Sequence, residues 1–176
     1  MTEEDFYKKL TPRARQVLLL ARKEAERFNH DYIGPEHLLL GIVALNEGIA
    51  VSALKACGVN LDKLRMEVEM LTGKGGATRQ NGSLPVTPDL HAILVHSADE
   101  AASMNYNFIG TEHFLLSLLR EGKSTSSRIL RNMNVDVLAL NFTTNDIARI
   151  SPIKMERGLD YPFARSYTLS LSVMFR

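Results

Sequence analysis

The sequence predicts an all-α fold made of two tandem four-helix repeats, followed by an irregular or strand-like C-terminal tail. Three observations predict it. The chain matches itself without a gap when Thr11 is laid on Thr87, an offset of 76 residues. Apolar residues within each copy recur at helical spacing. Helix start and stop residues then fall at corresponding positions in both copies. The register pairs Thr11-Pro12 with Thr87-Pro88 and Glu24-Ala25 with Glu100-Ala101. It also pairs Ile33-Gly34-x-Glu36-His37-x-Leu39-Leu40 with Ile109-Gly110-x-Glu112-His113-x-Leu115-Leu116, and Leu18, Asn29, Leu54 and Val59 with Leu94, Asn105, Leu130 and Val135. Gapless self-similarity of this kind marks a repeat architecture.

In the first copy, Thr11 supplies an N-cap and Pro12 a first helical residue. Val17, Ala21, Ala25 and Phe28 then form one apolar stripe, with Arg13, Arg15, Arg22, Lys23 and Arg27 on the other faces. A second helix is expected after Gly34, with Pro35 at its first position and Leu38, Leu39, Ile42 and Val43 turned inward. A third spans roughly Ile49 to Ala56 and stops at Gly58. A fourth runs from the cap Asn60 through Leu61, Leu64, Val68 and Leu71 to Gly73. Thr87-Pro88 and Gly110-Thr111 open the corresponding helices of the second copy, whose last helix is expected near Asp136 to Ala148. The resulting organisation is repeat one at 8–72, a Gly-rich linker at 73–86 expected to be flexible, repeat two at 87–148, and a tail at 149–176.

Composition narrows the function. A net charge of +1 argues against a strongly basic nucleic-acid surface, so no nucleic-acid partner is expected. The single cysteine, Cys57, excludes an internal disulfide and a multi-cysteine zinc site and suits a reducing compartment. The acidic start Met1-Thr-Glu-Glu-Asp-Phe does not resemble a secretory signal, and no apolar run approaches membrane-spanning length. A cytoplasmic protein without a membrane partner is the expectation.

The pattern Thr-Pro-Arg-Ala, Ala-Arg-x-Glu-Ala and Asn-His-x-Tyr-Ile-Gly-x-Glu-His-Leu-Leu-Leu-Gly in copy one, with Phe-Ile-Gly-Thr-Glu-His-Phe-Leu-Leu in copy two, closely resembles the Clp N-terminal repeat domain, most of all that of ClpC-type unfoldases. The likeness covers about residues 8–148. It implies an eight-helix, pseudo-twofold domain that captures substrate and adaptor proteins for an ATP-driven ring. In some relatives the domain recognises phosphorylated arginine, using the Thr that opens the first helix and the Glu of Gly-x-Glu-His. Those match Thr11 with Glu36 and Thr87 with Glu112. A carboxylate can hold a guanidinium in paired charge-assisted hydrogen bonds, while a helix N-terminus with a Thr hydroxyl suits a phosphate. Pro35 replaces the Thr found at 111 and removes an N–H and a hydroxyl from the first loop, which favours the second.

Each of these residues also has a plain structural role. Thr11 and Thr87 are N-caps in any case, Glu36 and Glu112 complement helix dipoles, and His37 and His113 can orient their loops by hydrogen bonding. The competing reading is a small helical metal-dependent hydrolase built on His30, His37, Glu36, His113 and Glu112, which requires those groups to converge. Nucleic-acid binding through the basic face of the first helix is a third, weakened because copy two carries Asp89, His91, Ala98, Asp99 and Ser103 there. Ser117-Leu-Leu-Arg-Glu-Gly122-Lys123-Ser124 is a near match to a phosphate-binding loop, but Ser replaces the first glycine and a helix precedes it. Neither a Gly-x-Ser-x-Gly elbow nor a metal-ligand spacing occurs, so no enzyme activity, cofactor or metal is expected. In the tail, Tyr167, Leu169, Leu171, Val173 and Phe175 alternate with Thr168, Ser170, Ser172 and Met174, a strand period with no ladder in a helical domain.

Overall fold

Side-chain and backbone caps set the helix boundaries. The structure, a computed structural model, describes residues 3–76 and 84–137. Among these, the helices in chain order are α1 (Glu3–Lys9), α2 (Pro12–Arg27), α3 (Pro35–Leu45), α4 (Ile49–Ala56), α5 (Leu61–Thr72), α6 (Pro88–Ser103), α7 (Thr111–Glu121) and α8 (Thr125–Asn132). Thr11 Oγ1 accepts from the Ala14 N–H at 3.1 Å and Thr87 Oγ1 from the Leu90 N–H at 3.2 Å, so both Thr-Pro starts act as caps. Asn60 opens α5 in the same way, through the Lys63 N–H at 3.0 Å. The chain leaves its helices through left-handed residues at matching positions: Asn29 and Asn105, Asn46 and Gly122, Gly58 and Asn134 all have positive φ. Only Gly and Asn take that conformation cheaply, so each can replace the other there.

Helix α1 lies outside the sequence expectation. Seven residues are too few to show a period, but Glu4 and Lys8 pair at 2.8 Å one turn apart, and Phe6 packs against the core. The last helix of repeat two, expected near Asp136 to Ala148, lies outside the described residues beyond Val137, as does the tail at 149–176. The segment expected to be a flexible linker is pinned at both of its described ends. The Gly75 N–H donates to Phe28 O at 2.8 Å, and Pro85 O accepts from the Ile33 N–H at 2.8 Å.

Within repeat one, α3 packs chiefly on α2, and the approach is close. A Cβ on Gly41 would lie 2.6 Å from Val17 O and 2.9 Å from Ala21 N. The corresponding crossing of α7 on α6 carries Ser117 and Ser97 at those positions. Helix α5 packs against α3 and, across the repeats, against α8, while α4 packs against α7. One continuous apolar cluster results, running from Leu10, Val17 and Leu38 through Leu54 and Leu64 to Ile93, Phe114, Leu118 and Leu130. A shared core stabilises both repeats as a unit, because each buries its apolar faces partly against the other.

Two isolated parallel bridges, Leu10 with Ile109 and Ile33 with Val86, fasten the repeats together. The Thr11 N–H donates to Ile109 O at 3.0 Å and the Ile109 N–H to Lys9 O at 2.8 Å. In the mirror arrangement the Thr87 N–H donates to Ile33 O at 2.9 Å. Leu10 and Val86, like Ile33 and Ile109, are equivalent positions, so the exchange is reciprocal and the repeats are related by a pseudo-twofold axis.

Candidate functional site

This exchange positions the sequence-predicted residues. Each Thr that opens a long helix is bonded through its backbone to the Gly-x-Glu-His loop of the other repeat. Thr11 therefore sits against the loop leading to Glu112, and Thr87 against the loop leading to Glu36. The family resemblance groups Thr11 with Glu36 and Thr87 with Glu112; the backbone bonds instead set each Thr against the loop of the other repeat, a connection that the sequence does not show.

The loops are held by their histidines. Gly34 donates its N–H to His37 Nδ1 at 2.9 Å, and Gly110 donates to His113 Nδ1 at 2.8 Å. Both imidazoles are fully buried. A backbone N–H can only donate, so each Nδ1 is an acceptor and each neutral ring keeps its proton on Nε2. Burial lowers the pKa of both rings. His37 is brought to about 4, first by burial and then by His30, and His113 is lowered by burial against the opposing effect of Glu112. The carboxylates lie 3.7 Å from these Nδ1 atoms, as neighbours of neutral rings rather than as salt bridges.

Glu36 folds back over its own N-cap, close enough that a Cβ on Gly34 would lie 2.6 Å from Oε1 and would make the carboxylate shift. The Tyr32 hydroxyl hydrogen-bonds to Glu36, and its pKa is raised by burial and then by that charge. In repeat two Phe108 stands at the position of Tyr32, and Tyr106, at the position of His30, feels the charge of Glu112 without the hydrogen bond that Tyr32 makes to Glu36. Tyr106 is pushed up by burial and then by Glu112. Each carboxylate thus faces one tyrosine, delivered from different places in the two loops. Glu112 is buried, while the Glu36 side chain is 17% exposed. Arranged this way, each loop offers an anionic group in a poorly solvated setting at a helix N-terminus, beside the N-terminus of the other repeat's long helix. Such a setting can bind a cationic group through the carboxylate and an anionic one through the helix ends.

Three features bear on the sequence reading. Thr111, taken from sequence as the advantage of the second loop, already uses its hydroxyl to accept from the Ala50 N–H at 3.3 Å, capping α4 of the other repeat. The basic face of α2 is largely engaged inside the chain. Arg13 pairs with Glu47 at 3.5 Å, Arg22 with Glu26 at 3.3 Å, and Arg27 with Glu24 and Glu69, while Arg15 reaches the Tyr7 carbonyl. Among the described residues no three His, Cys, Asp or Glu side chains gather to hold a metal, and no single helix is long and apolar enough to cross a membrane. A separate cleft of about 710 Å³, whose lining includes Phe28, Met66 and Met70 together with charged residues of both signs such as Arg27, Lys63 and Glu67, lies between the end of α2 and α5. Met66 and Met70 are exposed.

The family profile described as Clp repeat (R) N-terminal domain matches residues 9–133. The chain is 42% identical over 132 residues to the Bacillus subtilis protein described as negative regulator of genetic competence ClpC/MecB, a stretch covering 75% of this chain and 16% of that protein. It is 39% identical over 131 residues to a probable ATP-dependent Clp protease ATP-binding subunit of Chlamydia pneumoniae, covering 74% and 16%. Among solved structures, the N-terminal domain of the Arabidopsis thaliana chaperone ClpD superposes with a TM-score of 0.62 at 20% identity, covering 81% of this chain and 95% of that one. The Hsp104 N-terminal domain of Candida albicans gives 0.65 at 14% identity, covering 79% and 91%. These structural likenesses concern the fold alone.

Proposed function

The chain belongs to the Clp repeat N-terminal domain family, and from that premise we propose that it is a protein-recognition module, binding substrate or adaptor proteins of a Clp-type ATP-dependent unfoldase. In this reading the chain is not itself an enzyme and holds no cofactor. The observation that carries the reading is the pair of Gly-x-Glu-His loops, each fastened to the opening of the other repeat's long helix. Within them, Glu112 with Thr11 and Glu36 with Thr87 are the groups assigned to a phosphorylated arginine. The carboxylate would take the guanidinium and the helix N-termini the phosphate. The same reading holds whether the module acts as part of a longer unfoldase or as a free-standing accessory that competes for adaptors.

The test is calorimetric titration of phosphoarginine into the chain and its Glu36→Ala and Glu112→Ala variants. Saturable binding that loses one site in each variant is the expected result. Heat that is absent from all three proteins refutes the phosphoarginine assignment, and protein recognition would then have to be sought at another surface, the Met66–Met70 cleft first.

A further inference from the structure

Repeat one contains a second buried imidazole that repeat two lacks. His30 Nδ1 lies 2.8 Å from His37 Nε2, and Tyr106 occupies the position of His30 in repeat two. We propose that His30 and His37 form an acid-sensitive latch, present in repeat one only, that holds the Gly34–Glu36 loop in place while both rings are neutral and frees it when either ring is protonated. The latch is a property of the loop's hydrogen bonding and does not depend on what the loop binds.

His37 Nδ1 accepts from Gly34, so the His37 proton sits on Nε2 and donates to His30 Nδ1, and the His30 proton sits on its own Nε2. Two neutral imidazoles have two acceptor nitrogens between them, and both are in use. An added proton must displace either the Gly34 N–H from His37 or the His37 N–H from His30. No ring rotation lets the pair take the proton and keep both bonds.

The surroundings tie ring movement to chain movement. His30 stacks on Tyr32 with centroids 5.1 Å apart and planes 7° from parallel, and on Phe28 at 5.8 Å and 19°. The segment after α5 lies directly on it: a Cβ on Gly75 would be 2.9 Å from His30 Cδ2 and 2.1 Å from Asn29 O. A polar cavity of about 440 Å³ lined by Asn29, His30, Asp31, Tyr32, Gly75 and Gly76 brings water to this edge of the pair. Asp31 in the same loop and Glu36 on α3 favour a positive charge there. Arg27, whose guanidinium lies 4.5 Å over the Phe28 ring, and Lys74, next to Gly75, oppose it. The low value of His37 agrees with a pair that resists protonation as long as it stays intact. In repeat two, His113 is fully buried and its Nε2 meets no acceptor, so the Gly110 bond has no second imidazole to couple to.

The test compares two equivalent amides in one molecule. Amide hydrogen exchange of Gly34 and Gly110, corrected for intrinsic exchange rates, is followed by NMR in the full chain from about pH 7.5 to about pH 5. Below about pH 6.5 opening releases one imidazole at Gly110 and two at Gly34, so Gly110 protection is expected to fall by about tenfold for each pH unit and Gly34 protection more steeply, by up to about a hundredfold. His30→Tyr, which installs the residue of repeat two, is expected to bring the slope at Gly34 down to that at Gly110. Equal slopes at Gly34 and Gly110 in the unaltered chain overturn the proposal, and so does a folded His30→Tyr variant that keeps the steeper slope at Gly34. The first comparison needs no variant and stands if His30→Tyr does not fold.

Discussion

Gly41 and Ser117 occupy equivalent positions at equivalent helix crossings, and replacing each by alanine should change stability in opposite directions. At Gly41 the new Cβ would meet Val17 O at 2.6 Å and Ala21 N at 2.9 Å, both backbone atoms of α2 that cannot rotate away. Reaching an ordinary contact of roughly 3.5 Å requires α2 and α3 to part by about 0.9 Å. Overpacking of this kind costs about 1–3 kcal/mol. Alanine returns about 1 kcal/mol through its better helix propensity, and the rigid backbone contact places the cost near the upper end. A net loss of about 1–2 kcal/mol follows, which for a chain of this size lowers Tm by roughly 2–8 °C. At Ser117 a Cβ is already accommodated, and the fully buried hydroxyl has no hydrogen-bond partner. An unsatisfied buried hydroxyl costs about 1–3 kcal/mol, so Ser117→Ala should raise Tm by several degrees. Calorimetric melting of both variants reads the signs directly. A Gly41→Ala protein that melts at or above the unaltered chain refutes the close-crossing argument, and a Ser117→Ala protein that melts below it refutes the claim of an unsatisfied hydroxyl.

Other perturbations separate the remaining claims. Thr11→Ala and Thr87→Ala each remove an N-cap and should cost about 1 kcal/mol in denaturant unfolding. Because the loops are exchanged, Thr11→Ala should also show coupling to Glu112→Ala but additivity with Glu36→Ala in phosphoarginine affinity; the opposite pattern would restore the pairing within each repeat. The folded value of His37, about 4, lies below an unfolded value of about 6.5. Its contribution is therefore fully present above pH 6.5 and is lost as pH falls toward 4, by up to about 1.4 kcal/mol per pH unit, and His113 acts in the same direction. Denaturant midpoints that do not drop between pH 7 and 5 would contradict that burial. Glu24, which takes Arg27 at 2.9 Å and Arg65 at 2.6 Å from its two oxygens, joins α2 to α5. Glu24→Ala should cost about 1–2 kcal/mol, less than a fully buried pair because both arginines keep solvent contact and Glu69.

What could be read from the sequence was what repeats locally. Thr-Pro caps, the 3.6-residue stripes and the Gly or Asn stops are each decided within a few residues, and α2 to α8 begin and end near those signals. Helix α1 escaped because seven residues carry too few apolar positions to show a period. The candidate residues were found as residue types, since Thr, Glu and His recur at one register. Which loop adjoins each helix opening was not, because it depends on Leu10 bridging to Ile109 and Val86 to Ile33, and an isolated bridge leaves no pattern in the chain. For the same reason Tyr32 and Tyr106 were missed as neighbours of the carboxylates: they sit at non-equivalent positions, so a search for conserved register passes over both.

The departures from internal symmetry are themselves ordered. Gly48, which carries no side-chain cap for α4, faces Thr111, which supplies one from the other repeat. At the equivalent places Ser124 caps α8 itself, through the Ser127 N–H at 3.3 Å, and Pro35, which has no hydroxyl to give, stands where Thr111 would be. The change from Thr to Pro in one loop is thus matched by the change from Gly to Ser at the start of the helix it faces. His30 with Tyr32, against Tyr106 with Phe108, is a second matched pair, since each repeat keeps one tyrosine beside its carboxylate. Residues that differ between the copies at the seam therefore differ in compensating sets. The cap on α4 and both bridges cross between repeats, so the geometry of either Gly-x-Glu-His loop is a property of the pair, and a substitution in one repeat acts on the loop of the other.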